Sequence, residues 1–297
     1  MPDPAARDAA EEASALSHPA VDPDSTASYG EHPDQIVDFY APRDGLRGGP
    51  GDAAPLVVVL HGGAWRAPYD RRHITPFVDY LARRGFAVAN VEYRRGGEIP
   101  GPRGSGAEGP VAGRWPDTFD DVAAALDALP ALVARHLPRA DRRRTVLTGH
   151  SAGGHLALWA AARHVLPTGS PWRLDAPPEL RGVVALAPIA HFERAAELDV
   201  CGGAVTQLLG GADRFDERAG YADPSALLPT GIATAVVQGR EDTVVPQAVS
   251  EAYVEAAAKA GEMVGLTLLA DVGHFPLIDP AADACAVVAE EIAQLAW

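Results

Sequence analysis

The sequence has little cysteine. Its 297 residues include only two, Cys201 and Cys285, which are far apart and do not form a Cys-x-x-Cys pair. A disulfide framework and a thiolate zinc site are therefore not indicated. Four histidines, His73, His136, His164 and His191, are scattered without the spacing of metal ligands, so we also expect no bound metal. This cysteine usage is typical of a reducing compartment, and we expect a cytoplasmic protein.

Basic charge and long apolar runs are also scarce. Lys and Arg total 25 against 40 Asp and Glu, a net charge of -15, which repels nucleic acid and anionic lipid surfaces. No apolar stretch reaches membrane-spanning length, and the first ten residues lack the basic and apolar regions of a signal peptide. We expect no nucleic-acid or membrane partner; the sequence leaves the oligomeric state open.

The composition divides the chain into a tail and one domain. Residues 1–28 are rich in Ala, Asp, Glu, Pro and Ser, which predicts a flexible N-terminal tail. Residues 29–297 have the apolar content of a single globular domain. A Gly- and Pro-rich segment at 96–113 predicts a long surface loop, either a tolerated insertion or a flap over a pocket.

Within that domain, short apolar runs alternate with helical patterns. The alternation predicts a mostly parallel, doubly wound α/β sheet with helices on both faces. The expected strands are Ile36–Tyr40, Leu56–Leu60, Phe86–Val91, Thr145–Thr148, Val183–Leu186, Ala235–Gln238 and Leu266–Leu269. The expected helices are Ile74–Arg84, Thr118–Leu129, Ala152–His164, Pro246–Ala260 and Ala281–Leu295.

A G-x-S-x-G motif, Gly149-His150-Ser151-Ala152-Gly153, falls between an expected strand and an expected helix. A serine hydroxyl becomes a good nucleophile only when a base can remove its proton, and a sharp strand-to-helix turn exposes it for this purpose. The motif alone also fits a serine that caps a helix. Its position after Thr145–Thr148 favours Ser151 as a catalytic nucleophile.

A second glycine-containing loop, His61-Gly62-Gly63-Ala64-Trp65, directly follows the strand at Leu56–Leu60. Backbone N–H groups of such a loop stabilise the oxyanion that forms during acyl transfer. We predict Gly63 and Ala64 as donors together with Ala152, although Gly62 is an alternative. His61 is expected to be a structural hydrogen-bonding residue.

In enzymes whose serine nucleophile lies on such a strand-to-helix turn, the catalytic acid and then the base follow the serine along the chain. Asp242 follows the strand Ala235–Gln238, and His274 is the only histidine beyond it. We therefore predict His274 as the base and Asp242 as the acid that orients it. Glu241 and Asp213 are competing candidates for the acid.

Together these motifs resemble a known family. The sequences H-G-G-A-W at 61–65 and G-H-S-A-G-G-H-L-A at 149–157, followed by Asp242 and His274, are similar to those of kynurenine formamidase-like members of the esterase and lipase branch of α/β hydrolases. The resemblance implies the α/β-hydrolase fold and cofactor-free hydrolysis of a small ester or aryl formamide through an acyl-enzyme.

Two alternatives to hydrolysis of a small ester or aryl formamide remain open. A broad-range carboxylesterase is the first rival, and a binding protein that retained the fold without catalysis is the second. Aromatic residues near the expected pocket loops, Trp65, Tyr69 and Trp115, are candidate substrate contacts. For Trp65, simple packing is an equal alternative.

Overall fold

The computed structural model describes residues 3–43, 53–97 and 111–297. Its strands are β1 Ser25–Ser28, β2 Ile36–Tyr40, β3 Ala54–Leu60, β4 Ala87–Val91, β5 Ala140–His150, β6 Gly182–Leu186, β7 Thr234–Gly239 and β8 Val264–Leu269. Its α-helices are α1 Pro4–Ser17, α2 Thr75–Arg83, α3 Asp117–His136, α4 Ala152–Ala161, α5 Phe192–Glu197, α6 Ala204–Leu208, α7 Phe215–Ala222, α8 Gln247–Lys259 and α9 Asp283–Ala296.

The eight strands form one sheet in the order β1-β2-β4-β3-β5-β6-β7-β8. β2 pairs antiparallel with β1 and β4, and all the other neighbouring pairs are parallel. All seven strands expected from the sequence are present, as are the five helices. The mostly parallel, doubly wound sheet of the expected α/β-hydrolase fold is therefore confirmed.

Both faces of the sheet are covered by helices. Side chains of α3, α4 and α8 share one apolar core with Leu56, Val58 and Leu60 of β3. Side chains of α2 and α9 share the other core with Val57 and Val59 of the same strand. Because successive side chains of a strand point to opposite faces, this explains why β3 is an uninterrupted apolar run.

The parallel strands end at the same edge of the sheet, where the predicted site residues follow them. β3 leads into the loop of Gly63 and Ala64, β5 ends one residue before Ser151, and β7 ends shortly before Asp242. Ligands in open α/β sheets bind at this carboxyl edge. The topology therefore collects the predicted site residues from distant parts of the chain.

The N-terminal segment differs from the expectation. Residues 1–28 were expected to form a flexible tail, but the structure contains α1 and the edge strand β1 there. Asp3 accepts a hydrogen bond from the Ala5 amide, and Pro4 occupies the first turn, where its missing N–H is not needed. The helix is held by polar contacts with the body of the protein, which a composition argument does not detect.

The Gly- and Pro-rich loop expected at 96–113 lies largely outside the described residues. Among the residues that the structure does describe, no helix is both long and apolar enough to cross a bilayer.

Candidate active site

Ser151 lies in a strained turn between β5 and α4. Its φ of 57° and ψ of -118° are unusual for a residue with a side chain. A Cβ on Gly153 would lie 2.0 Å from the Leu60 carbonyl oxygen, and one on Gly149 would lie 2.3 Å from the Gly153 oxygen. The glycines of the motif are therefore required by close backbone contacts, as expected for a nucleophile elbow.

The loop after β3 runs directly beside this turn. A Cβ on Gly62 would lie 3.4 Å from the Ser151 Cβ. Gly63, Ala64 and Trp65 all have positive φ, at 104°, 51° and 56°. This conformation turns successive peptide groups sharply next to Ser151, which is the arrangement that an oxyanion hole needs. The roles of Gly63, Ala64 and Ala152 as donors stay a prediction.

Asp242 and His274 are directly hydrogen bonded. The His274 Nδ1 atom lies 2.7 Å from Asp242 Oδ2, and both residues are almost completely buried. Asp242 Oδ2 also accepts a hydrogen bond of 3.0 Å from the Gln238 amide, while Oδ1 accepts bonds from the backbone N–H groups of Val244 and Val245. The carboxylate is thus fixed by four donors, one of which is the imidazole.

The competing carboxylates do not occupy this position. The side chain of Asp213 is 80% exposed and lies beside Arg214, and that of Glu241 is 47% exposed and lies beside Arg7. Of the three candidates for the acid, Asp242 is the one within hydrogen-bond distance of His274.

His150 is a site residue that the sequence analysis did not single out. Its ring lies 4.2 Å from the His274 ring, measured between centroids, and its Nε2 lies 3.0 Å from the His274 carbonyl oxygen. Burial lowers the pKa of His150 well below its ordinary value, and the neighbouring His274 lowers it further. A neutral His150 donates from Nε2 to this oxygen and thereby supports the backbone at His274. Its position inside the G-x-S-x-G motif is the signal that could have identified it.

His61 has the structural role that was expected of it. It is buried, with Nε2 2.8 Å from Glu92 Oε1 and Nδ1 2.8 Å from the Gly62 carbonyl oxygen. Burial alone would raise the pKa of Glu92, but His61 and Arg95 outweigh it and lower the pKa to about 2. The pair anchors the start of the glycine loop to β4.

The three aromatic candidates occupy different environments. Trp65 has no exposed surface and packs edge-on against His155 and Phe192, so the structure shows the packing alternative for this residue. Tyr69 packs against Gly63, where a Cβ would lie 2.3 Å from the tyrosine Cβ. Trp115 contacts an aromatic cluster with Phe119 and Trp172. Substrate contacts by Tyr69 and Trp115 stay a prediction.

A cavity of about 700 Å³ lies away from these residues. It is lined by residues of α3, the end of α4 and the first part of β5, and Leu56, Pro130 and Arg163 are among the lining residues. None of the predicted site residues lines it, so it is separate from the candidate active site.

Solved structures of esterases share the fold. Esterase B from Lactobacillus rhamnosus matches with a TM-score of 0.72 and 20% identity, covering 98% of this chain and 90% of that one. A truncated carbohydrate esterase from gut microbiota matches with a TM-score of 0.70 and 18% identity, covering 94% of this chain and 99% of that one.

Curated relatives are similar over parts of their length. Esterase LipC of Mycobacterium tuberculosis is 28% identical over 265 residues, which is 85% of this chain and 60% of LipC. The probable carboxylic ester hydrolase LipM of the same organism is 28% identical over 173 residues, or 58% of this chain and 36% of LipM. The chain thus spans less than two thirds of these relatives.

A family model gives the broadest assignment. The BD-FAE model matches residues 37–256, which include the glycine loop, the serine turn and Asp242. This match extends over well more than half of the chain, and the chain therefore belongs to the BD-FAE family of α/β hydrolases.

Proposed function

We propose that this protein is a carboxylic ester hydrolase in which Ser151 is the nucleophile, His274 the base and Asp242 the residue that orients the base. The observation that carries the proposal is the combination of the strained turn at Ser151 with the 2.7 Å bond between His274 Nδ1 and Asp242 Oδ2 at the same edge of the sheet.

The reaction begins when His274 Nε2 takes the proton from the Ser151 hydroxyl as its oxygen attacks the ester carbonyl carbon. Negative charge then develops on the carbonyl oxygen, and the N–H groups of Gly63, Ala64 and Ala152 stabilise it. His274 next gives its proton to the departing alcohol, which leaves an acyl-enzyme. Water, activated by the same imidazole, attacks this ester and releases the acid and the free serine.

Asp242 acts through the tautomer of His274. Because its Oδ2 accepts the Nδ1–H bond, the lone pair of the neutral ring is left on Nε2, the nitrogen that takes the Ser151 proton in this mechanism. The bonds from Gln238, Val244 and Val245 keep the carboxylate in this orientation before substrate binds. No cofactor is needed for any of these steps.

The names of the relatives favour simple esters as substrates over aryl formamides. LipC and LipM are named for ester hydrolysis, as are the solved structures. An aryl formamide is the second candidate, because the H-G-G-A-W and G-H-S-A-G-G motifs resemble those of formamidases. Rates on p-nitrophenyl butyrate and on N-formylkynurenine, measured with the same preparation, separate the two. Faster turnover of the formamide at equal concentration would overturn the ester assignment.

A fluorophosphonate probe tests the nucleophile. We expect the wild-type protein to be labelled and Ser151→Ala to show neither labelling nor ester hydrolysis, because the probe forms a bond with an activated serine oxygen. Ser28→Ala, at an exposed serine of β1, is the matched control and is expected to retain both. Labelling that survives Ser151→Ala would remove Ser151 from the mechanism, and an unlabelled wild-type protein would favour the binding-protein alternative.

A further inference from the structure

The helix α1 contacts the loops that carry both His274 and Asp242. The acid loop, residues 241–243, receives the Arg7 side chain, which donates a 2.9 Å hydrogen bond to the Glu241 carbonyl oxygen. In the same loop Thr243 donates its hydroxyl proton to the Asp8 carboxylate. These contacts hold the first half of the helix against the residues on either side of Asp242.

The base loop, residues 273–279, is held by the second half of the helix. The Gly273 amide donates a 3.1 Å hydrogen bond to Glu11 Oε1 immediately before His274. At the far end of the loop the Asp279 carboxylate accepts a 2.6 Å bond from the Ser14 hydroxyl and lies 2.7 Å from His18 Nε2. Both ends of the segment that carries the base are therefore tied to one helix.

Gly273 fits closely against Glu11. A Cβ at Gly273 would lie 2.0 Å from Glu11 Oε2, and its three nearest neighbours would all be atoms of the Glu11 carboxylate. Gly273 does not have a positive φ, so its backbone conformation does not itself require glycine. The missing side chain at this position is explained by the approach of Glu11.

Polar contacts, more than apolar burial, hold α1 in place. Ala15 is the fully buried residue of the helix, and Leu16 is 41% exposed. A helix of 14 residues is marginal in water on its own. Its order therefore depends on docking to the acid and base loops.

We propose that α1 is a strap that fixes the base loop relative to the acid loop, and that Glu11 is a positioning residue that acts on His274 through the Gly273 amide. The strap rests on the proposed function of His274 as the base. A displacement of the imidazole by a fraction of an ångström weakens proton transfer from Ser151 while leaving substrate contacts unchanged. The effect is therefore expected in kcat and not in KM.

Glu11→Ala and Glu11→Gln in the full chain test the strap with p-nitrophenyl butyrate. We expect Glu11→Ala to lower kcat about tenfold with KM within about twofold of wild type. Glu11→Gln is expected to restore most of the loss, because an amide oxygen still accepts from the Gly273 N–H. Glu251→Ala, an exposed glutamate on α8 with the same change of charge, is the matched control and should keep wild-type kcat.

Gly273→Ala gives an independent arm. Its methyl group displaces the Glu11 carboxylate, so we expect the same loss of kcat as in Glu11→Ala. In the double variant the clash is absent and the hydrogen bond is already lost, so its kcat should equal that of Glu11→Ala alone. Additive losses would show that the two residues act separately and would overturn the coupling.

The outcomes also separate the strap from the proposed function. If the wild-type protein neither hydrolyses the ester nor labels at Ser151, the function fails and the strap fails with it. If it does both while Glu11→Ala keeps wild-type kcat, only the strap is overturned. A rise in kcat/KM in Glu11→Ala would mean that the helix restricts access to the site, and this result too would overturn the strap. The strap would also be overturned if Glu11→Gln were as slow as Glu11→Ala.

Discussion

Replacing Asp242 by asparagine changes one atom of a carboxylate that has four hydrogen-bond donors around it. Oδ1 accepts from the Val244 and Val245 amides at 2.9 and 2.8 Å, and Oδ2 accepts from Gln238 and His274 at 3.0 and 2.7 Å. An asparagine side chain has a single acceptor oxygen and a group with two N–H donors. One of the two pairs of donors must therefore lose its acceptor.

The two backbone amides cannot rotate, so the asparagine oxygen is expected to remain with Val244 and Val245. Its NH2 group then faces His274, and the imidazole Nδ1 must accept instead of donate. The ring proton moves to Nε2, where it blocks removal of the Ser151 proton. We expect kcat to fall about 10⁴-fold, a barrier increase of about 5 kcal/mol.

The assay is initial-rate hydrolysis of p-nitrophenyl butyrate by Asp242→Asn, with Asp213→Asn as the matched control. The Asp213 side chain is 80% exposed, so the control should keep the wild-type rate. Thermal unfolding of both variants verifies that they are folded. A folded Asp242→Asn with kcat within tenfold of wild type would refute the assignment of Asp242 as the acid.

Three further predictions concern the framework of the site. Glu92→Gln should lower the free energy of unfolding in urea by about 3 kcal/mol at pH 7, because the pKa of Glu92 is lowered from 4.5 to about 2 beside His61. This stabilisation is present above pH 4.5 and is lost as the pH falls towards 2. A difference of the same size between wild type and variant at pH 2 would contradict it. Gly153→Ala should lower the free energy of unfolding by about 1–3 kcal/mol or more, measured by thermal unfolding, because its methyl group would lie 2.0 Å from the Leu60 oxygen. An unchanged melting temperature together with unchanged probe labelling would be inconsistent with the described turn. Cys285 is buried, and its pKa is raised to about 12, mainly by burial. Its reaction with a disulfide reagent at pH 8 should therefore be at least about a hundredfold slower in the folded protein than in urea, and equal rates would contradict the packing of α9.

Local patterns in the sequence were sufficient for the sheet and its helices. Runs such as Leu56–Leu60 are apolar on both faces because helices cover both faces, and this is visible without any tertiary information. The same holds for Ser151, whose flanking glycines and strand indicated the turn. The boundaries differ mainly at two places: α3 continues to His136 instead of ending at Leu129, and β5 begins at Ala140 instead of Thr145. The first residues of β5 are polar and partly exposed, so the apolar run begins later than the strand itself.

The N-terminal helix could not be predicted in this way. Segment 4–17 has Leu16 as its one large apolar side chain, and it is held by single contacts such as those of Glu11 with Gly273 and of Ser14 with Asp279. These pairs are more than 260 residues apart in the chain. Composition weighs apolar burial against chain entropy and does not register a few specific hydrogen bonds to distant loops.

The sequence by itself determined the fold class, the serine turn and the order in which a nucleophile, an acid and a base would follow one another. Only the tertiary structure decided that Asp242, and neither Glu241 nor Asp213, is bonded to His274, that His150 supports the base loop, and that Trp65 is packed in the core. The reason is physical: periodicity and turn chemistry are local properties of the chain, whereas the choice among similar side chains depends on which of them the sheet brings within about 3 Å of the same atom.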